Sequence, residues 1–285
     1  MLNNPFRHTP EGLDPNDTEF LKRFGGLEVD NNKDIPAQAK EAEIPADEAV
    51  GLGVTAEKRE AFLNELVDIA PGFKIPRKEY EAVVEIFNRI NEDVPNEKKI
   101  VIEDVVGNEK SGRKIQIEEN HVIRLYLTFV PIESLDGIIL PEGLQRLYLF
   151  NTQIQSLDGV KLPEGLQDLD LSVTQVESLD GVKLPEGLQD LNLSNTPIQS
   201  LVEVKLPKGL QILILESTPI QSLDGVVLPE GLRILYLTRT SIQSIDDVKF
   251  PELLKEVHLG DTPLFKNPQR MTELRAKYPN IVFEY

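Results

Sequence analysis

The stretch "SLDGVKLPEGLQDLNLSNTPIQ", Ser178–Gln199, repeats the preceding "SLDGVKLPEGLQDLDLSVTQVE", Ser156–Glu177, almost letter for letter. The serine that opens each copy recurs at Ser134, Ser156, Ser178, Ser200, Ser222 and Ser244, always 22 residues apart. Self-similarity at this period predicts a solenoid. A unit this small cannot bury a core alone. Stacked units share one continuous core and expose a long, regular face, and such faces commonly bind other macromolecules.

Aligned on the apolar positions, the units begin at Val122, Leu144, Leu166, Leu188, Leu210, Leu232 and Leu254, seven in all. Each reads L-x-x-L-x-L-x-x-T-x-I, as in "LQDLNLSNTPI", Leu188–Ile198. Leu188, Leu191 and Leu193 then point into the core, as alternation along a short strand requires. Stacking places such strands about 4.8 Å apart in a parallel sheet. From Val122 to the C-terminus this pattern resembles the leucine-rich-repeat family. The 22-residue length is similar to the repeats of bacterial internalins, and "LPEGL" is similar to the proline-containing repeats of bacterial effector proteins. The resemblance implies an α/β fold: a solenoid with a parallel concave β-sheet, an extended or 3₁₀ convex side and a helical N-terminal region. The ninth position is usually Asn in that family. Here it is Thr152, Thr174, Thr196, Thr218, Thr240 and Thr262, with Val130 in the first unit. A hydroxyl bonds less than an amide does, which predicts a formed stack with a less rigid turn.

The convex side has its own core positions, Leu157, Val160 and Leu162 in one unit and Leu179, Val182 and Leu184 in the next. Pro163, Pro185, Pro207 and Pro229 rule out long helices there. The Asp158–Gly159, Asp180–Gly181 and Asp224–Gly225 pairs mark a tight turn, which one unit replaces with Val202–Glu203. A column of Asp also suits a calcium ladder, but the adjacent Gly explains the column without a metal.

Outside the repeats, residues 1–53 are rich in Pro, Gly, Asn, Asp and Glu and read as largely disordered or loosely packed. Residues 54–96 read as two amphipathic helices. The first follows Thr55 and aligns Phe62, Leu63, Leu66, Val67 and Ile69; the second follows Pro76 and aligns Tyr80, Val83, Val84, Phe87 and Ile90. The pair is read either as a small docking domain or as the cap that a solenoid end needs. Residues 97–121 read as a β-hairpin of strands 99–105 and 114–118, leading into the repeats over 122–264. Residues 265–285 read as a C-terminal cap, with a helix near Pro268–Lys277 and a last strand Ile281–Tyr285.

The chain has 285 residues and a net charge of −18, which argues against nucleic acid and anionic membranes as partners. It has no cysteine. Its three histidines, His8, His121 and His258, lie far apart, which speaks against a His/Cys zinc site. No apolar core of signal-peptide length opens the chain, and no stretch reaches the roughly 20 apolar residues of a membrane span. A cytoplasmic protein is expected, or alternatively one secreted without a classical signal peptide. No cofactor is expected, and oligomeric state is left open.

Residues between the core leucines of each strand point to the concave face. The first two units present Arg124, Tyr126, Phe129, Arg146, Tyr148 and Phe150. The middle two present Asp168, Asp170, Asp190 and Asn192. The next two present Ile212, Ile214, Ile234 and Tyr236, beside Glu216 and Arg239. Arg and aromatic residues are common interface anchors, and four Ile or Tyr on neighbouring strands predict an exposed apolar patch. The competing readings are coverage by the chain's own N-terminal segment and a choice of Ile and Tyr for strand propensity. The three aspartates, about 5–7 Å apart on this spacing, suit a basic partner, a cation or acid/base chemistry. Some effectors with such repeats carry a ubiquitin-ligase domain acting through a cysteine, which this chain lacks. No phosphate loop, G-x-S-x-G or H-E-x-x-H motif is present. The expected function is a non-enzymatic module that binds a protein or peptide on the concave face. The alternatives are a secreted bacterial effector with a flexible N-terminal export segment and a hydrolase built on the Asp cluster.

Overall fold

Once in every 22 residues the chain makes one short strand, and the strands stack without a register shift. The computed structural model describes residues 66–70, 73–92, 106–107 and 115–285. Strands β5 (His121–Tyr126), β6 (Arg146–Tyr148), β7 (Asp168–Asp170), β8 (Asp190–Asn192), β9 (Ile212–Ile214), β10 (Ile234–Tyr236) and β11 (Glu256–His258) pair in parallel, each with the next. Leu125, Leu147, Leu169, Leu191, Leu213, Leu235 and Val257 stand directly opposite one another across the six pairings. Backbone bonds carry this stacking past the strand ends. Leu171 N–H donates to the Asn192 carbonyl at 2.9 Å, and Leu193 N–H to the Ile214 carbonyl at 2.8 Å. The leucines that open each unit and those at its sixth position are fully buried, as are Ile154, Ile198, Ile220 and Ile242. Each such side chain contributes roughly 1.5–3 kcal/mol by leaving water.

The end of each strand turns sharply at one column of residues. Phe129, Asn151, Val173, Asn195, Ser217, Arg239 and Asp261 all have φ between 53° and 59°. The next residue is the Thr column. Each hydroxyl is buried and donates to a carbonyl three residues back, as Thr196 Oγ1 does to Leu193 at 2.7 Å. The threonine therefore closes its own turn, and the usual Asn amide is not needed for that bond. On the convex side there is no helix, only extended chain and turns. Each opening Ser Oγ accepts the N–H two residues on, as Ser178 does from Asp180 at 2.9 Å. Gly137, Gly159, Gly181 and Gly225 follow these turns in the left-handed region. A second glycine column answers to space: a Cβ at Gly231 would stand 2.5 Å from the Lys208 carbonyl oxygen of the coil before.

The N-terminal end differs from the expectation of two helices. Leu66–Ala70 is a strand, β1, antiparallel to β2 (Phe73–Pro76), and one helix follows, α1 (Arg77–Ile90). Residues 55–65 lie outside the described residues. A β-hairpin lies between the second expected strand and the first repeat. Strand β4 (Ile115–Glu118) turns back antiparallel onto β5 through Glu119 and Asn120, both left-handed. The two-residue β3 (Val106–Gly107) pairs parallel to β4. Residues 99–105 lie outside the described residues, as do 1–53.

Helix α1 buries Val83, Ile86, Phe87 and Ile90 in the same core as the first coil. Its Glu79, fully buried, accepts the Val122 N–H at 2.8 Å and meets His121 Nδ1 at 2.7 Å. At the other end α2 (Pro268–Lys277) buries Met271 and Leu274, and β12 (Val282–Glu284) adds to β11 in parallel. Arg270 pairs with Asp246, and Lys277 Nζ donates to the Asp246 carbonyl at 2.8 Å. Among the described residues the sheet has ten strands, β3 to β12, in chain order. Among the described residues no helix is long and apolar enough to cross a membrane.

Two stability outcomes follow. Glu79→Ala strands the buried Val122 N–H and is expected to cost about 2–4 kcal/mol, read as a lower urea midpoint at unchanged slope. A change under a few tenths of a kcal/mol would show that Glu79 does not tie α1 to the first coil. Val173 is β-branched in a left-handed conformation that costs roughly 1–2 kcal/mol. Val173→Asn, which restores the residue of Asn151 and Asn195, is expected to raise stability by about 1 kcal/mol. An unchanged melting temperature would mean that the site bears no such strain.

Candidate functional site

Because strand side chains alternate, each three-residue strand sends its middle residue into the core and its outer two to the concave face. The register then lines these up in two columns. One runs Arg124, Arg146, Asp168, Asp190, Ile212, Ile234 and Glu256; the other runs Tyr126, Tyr148, Asp170, Asn192, Ile214, Tyr236 and His258. All fourteen positions of the predicted binding set fall in or beside these columns, Phe129 and Phe150 being just past the strand ends.

At the N-terminal end the face is cationic and aromatic. Tyr126 and Tyr148 stack with ring centroids 4.7 Å apart, and Phe129 meets Phe150 edge to face at 5.0 Å. Arg124 Nη1 donates to Gln116 Oε1 at 3.1 Å. Arg146 forms an ion pair with Asp168 across the β6–β7 step. Burial and the nearby Asp168 charge hold the Tyr148 phenol protonated, well above its ordinary range.

The aspartates do not act as one cluster. Asp170 is buried and accepts the Ser172 N–H at 2.8 Å and the Ser172 hydroxyl. Asn192 repeats this with Ser194, at 3.0 Å and 2.7 Å. Asn192 is only 6% exposed, which corrects the expectation that it faces solvent. Its frame is unchanged, since Leu191 and Leu193 are fully buried beside it. Asp168 and Asp190 face each other on adjoining strands. Burial, the hydrogen bond to Asp168 and its charge push Asp190 up to about 7, while Arg146 pulls the other way. Arg146, ion-paired with Asp168, offsets part of the negative charge at this step.

The apolar stretch is also less open than expected. Ile214 is 4% and Tyr236 7% exposed, and Ile212 and Ile234 are half-buried. Strands about 4.8 Å apart bring same-column side chains into contact, so these residues cover one another. Tyr236 stacks on His258 at 4.3 Å. Glu216 and Arg239 lie beside this stretch, Arg239 Nε donating to Ser217 Oγ at 2.9 Å.

Seven equal coils, a leucine ladder in register and a parallel sheet along one side decide the fold. The chain folds as a leucine-rich-repeat solenoid. Three solved structures resemble it. YopM from Yersinia enterocolitica is 26% identical over 49% of this chain and 28% of its own, with a TM-score of 0.40. An internalin from Listeria monocytogenes is 12% identical over 71% of this chain and 54% of its own, with a TM-score of 0.48. A leucine-rich-repeat protein of Leptospira interrogans is 16% identical over 57% of this chain and 60% of its own, with a TM-score of 0.29. The match spans less than two thirds of each of those chains. No protein-family model and no curated protein matches the chain.

One group on this leucine-rich-repeat face escaped the sequence reading. Glu256 and His258 on β11 meet Glu284 on β12. The repeat frame places Glu256 and His258 in the two columns, so the signal was present for them. Glu284 joins only through the β11–β12 pairing, which follows a helix and has no repeat to announce it.

The Asp168–Asp190 pair has a pH signature. Asp190 keeps its proton in the fold up to about 7 but ionises near 4 in an unfolded chain. Its contribution is fully present below pH 4 and is lost as pH rises through 7. Asp190→Asn removes that loss, so its melting-temperature gain over the parent is expected to be larger at pH 8 than at pH 5. Equal gains at both values would show that Asp190 is not the proton holder.

Proposed function

We propose that this protein is a binding module without catalytic residues of its own, and that its concave face holds a protein or peptide segment. The observation that supports this is a contrast within the chain. The core columns repeat Leu from coil to coil, as stacking requires. One concave column changes in blocks of two coils, Arg–Arg, Asp–Asp and Ile–Ile, and the other runs from aromatic to polar and back to Ile and aromatic, which stacking does not require. Stacked Tyr126 and Tyr148 with Arg146 offer rigid anchors of the kind that dominate interfaces. The acidic step beside them favours a partner with basic residues at the middle of the segment it presents. Asp168 is already paired with Arg146, and Asp170 with Ser172, so neither stands ready as a free general base.

The test compares capture by four full-length proteins: the parent, Tyr148→Ala, Arg146→Glu and the convex variant Lys183→Glu. A partner retained by the parent and by Lys183→Glu should bind the two concave variants at least about thirtyfold more weakly, a hot-spot loss of roughly 2 kcal/mol or more. If Lys183→Glu abolishes binding while both concave variants match the parent, the convex side is the binding face.

A further inference from the structure

The seventh coil closes the concave face with a group unlike any before it. Glu256, His258 and Glu284 each offer one ligand atom, and these atoms lie within 4.8 Å of one another. The ring of His258 is 3% exposed and is fixed by its stack on Tyr236, tilted only 16° from it. Its Nε2 is buried and makes no hydrogen bond, although Glu256 Oε2 is 3.4 Å away. Its Nδ1 faces Glu284 Oε2 at 3.6 Å. A buried ring nitrogen left without a partner is costly, and a ligand that it could bind would remove that cost. Packing does not require it, because the same column is filled at the coils before by Ile214 and Tyr236.

The spacing has a direct chemical reading. Two donors on a tetrahedral ion, with bonds of about 2.0–2.2 Å, stand roughly 3.3–3.5 Å apart. Nε2 and Glu256 Oε2 are separated by that distance. The glutamate side chains are 42% and 46% exposed, which leaves an entry path and room for water in the remaining position. One imidazole nitrogen with two carboxylate oxygens suits first-row divalent ions with affinity for nitrogen, and does not suit calcium or magnesium. A doubly charged cation also balances the two carboxylates that here face one buried ring.

We propose that Glu256, His258 and Glu284 form a site for a divalent transition-metal ion, zinc foremost, at the C-terminal end of the concave sheet, the ion sitting on Nε2 beside Glu256 and the exposed Glu284 side chain swinging from the Nδ1 edge to join it. Bound there, the ion bridges β11 to β12 and stabilises the terminal strand by binding the folded state alone.

The experiment is calorimetric titration of zinc chloride into the full chain after chelator dialysis, with cobalt absorption as a spectroscopic check on nitrogen ligation. The expected result is one ion per chain, with a raised melting temperature. His258→Gln should lose binding and the cobalt bands. Glu256→Gln and Glu284→Gln should each weaken it by about tenfold or more, while His121→Gln should bind as the parent does. The glutamate variants change partly exposed side chains and keep the ring in place, so they decide the matter if His258→Gln does not fold. No binding by the parent at millimolar zinc, or glutamate variants that bind like the parent, would overturn the site and leave a histidine–glutamate ion pair only.

Discussion

The whole structure depends on one constraint: each strand must lie on the last with zero offset, so that a leucine always meets a leucine. The backbone enforces it through bonds that repeat along the stack, Leu149 to Asp170, Leu171 to Asn192, Leu193 to Ile214 and Leu215 to Tyr236. A shift of one residue would turn every leucine outward. The same constraint explains features that look unrelated. The chain must leave each strand through the same left-handed residue, even where that residue is Val173 or Phe129. It must return through the same close approach, where Gly231 nearly touches the Lys208 carbonyl.

A stack of this kind has two ends that the repeat cannot finish. Each is closed by a helix packed on the end coil and by a charged side chain that ties helix to coil, buried at the first end and exposed at the last. At the first coil α1 delivers Glu79 to an amide of β5. At the last, α2 sets Arg270 against Asp246 and β12 extends the sheet. The strand and the helix face are cut to fit one particular coil, so neither carries the 22-residue signature.

That difference accounts for what could be read from the letters alone. The leucine ladder, the turn serines and the Thr column were legible because the repeat states each of them several times. Leu66–Ala70 was not, since "LVDIA" is a short apolar run that helix and strand periodicity share. The β4–β5 pairing was not legible because its turn, Glu119–Asn120, lacks the glycine that marks such turns. On the concave face the residues were legible but their exposure was not. Alternation tells which way Ile214 and Tyr236 point; it does not tell that neighbours one strand away will cover them. The pairing of Asp170 with Ser172 is visible at a two-residue spacing, whereas Asp168 with Arg146 needs the register of two strands.

The concave zones also have a length. Each block of two coils, Arg124 with Arg146, Asp168 with Asp190 and Ile212 with Ile234, spans about 9.6 Å along the solenoid axis, from strands about 4.8 Å apart. An extended polypeptide advances about 3.3 Å per residue. A segment bound as proposed, laid along the axis, would pass roughly three residues over each block. Such a face would be a coarse ruler, reading charge and apolar character in steps of three and blurring any change faster than that.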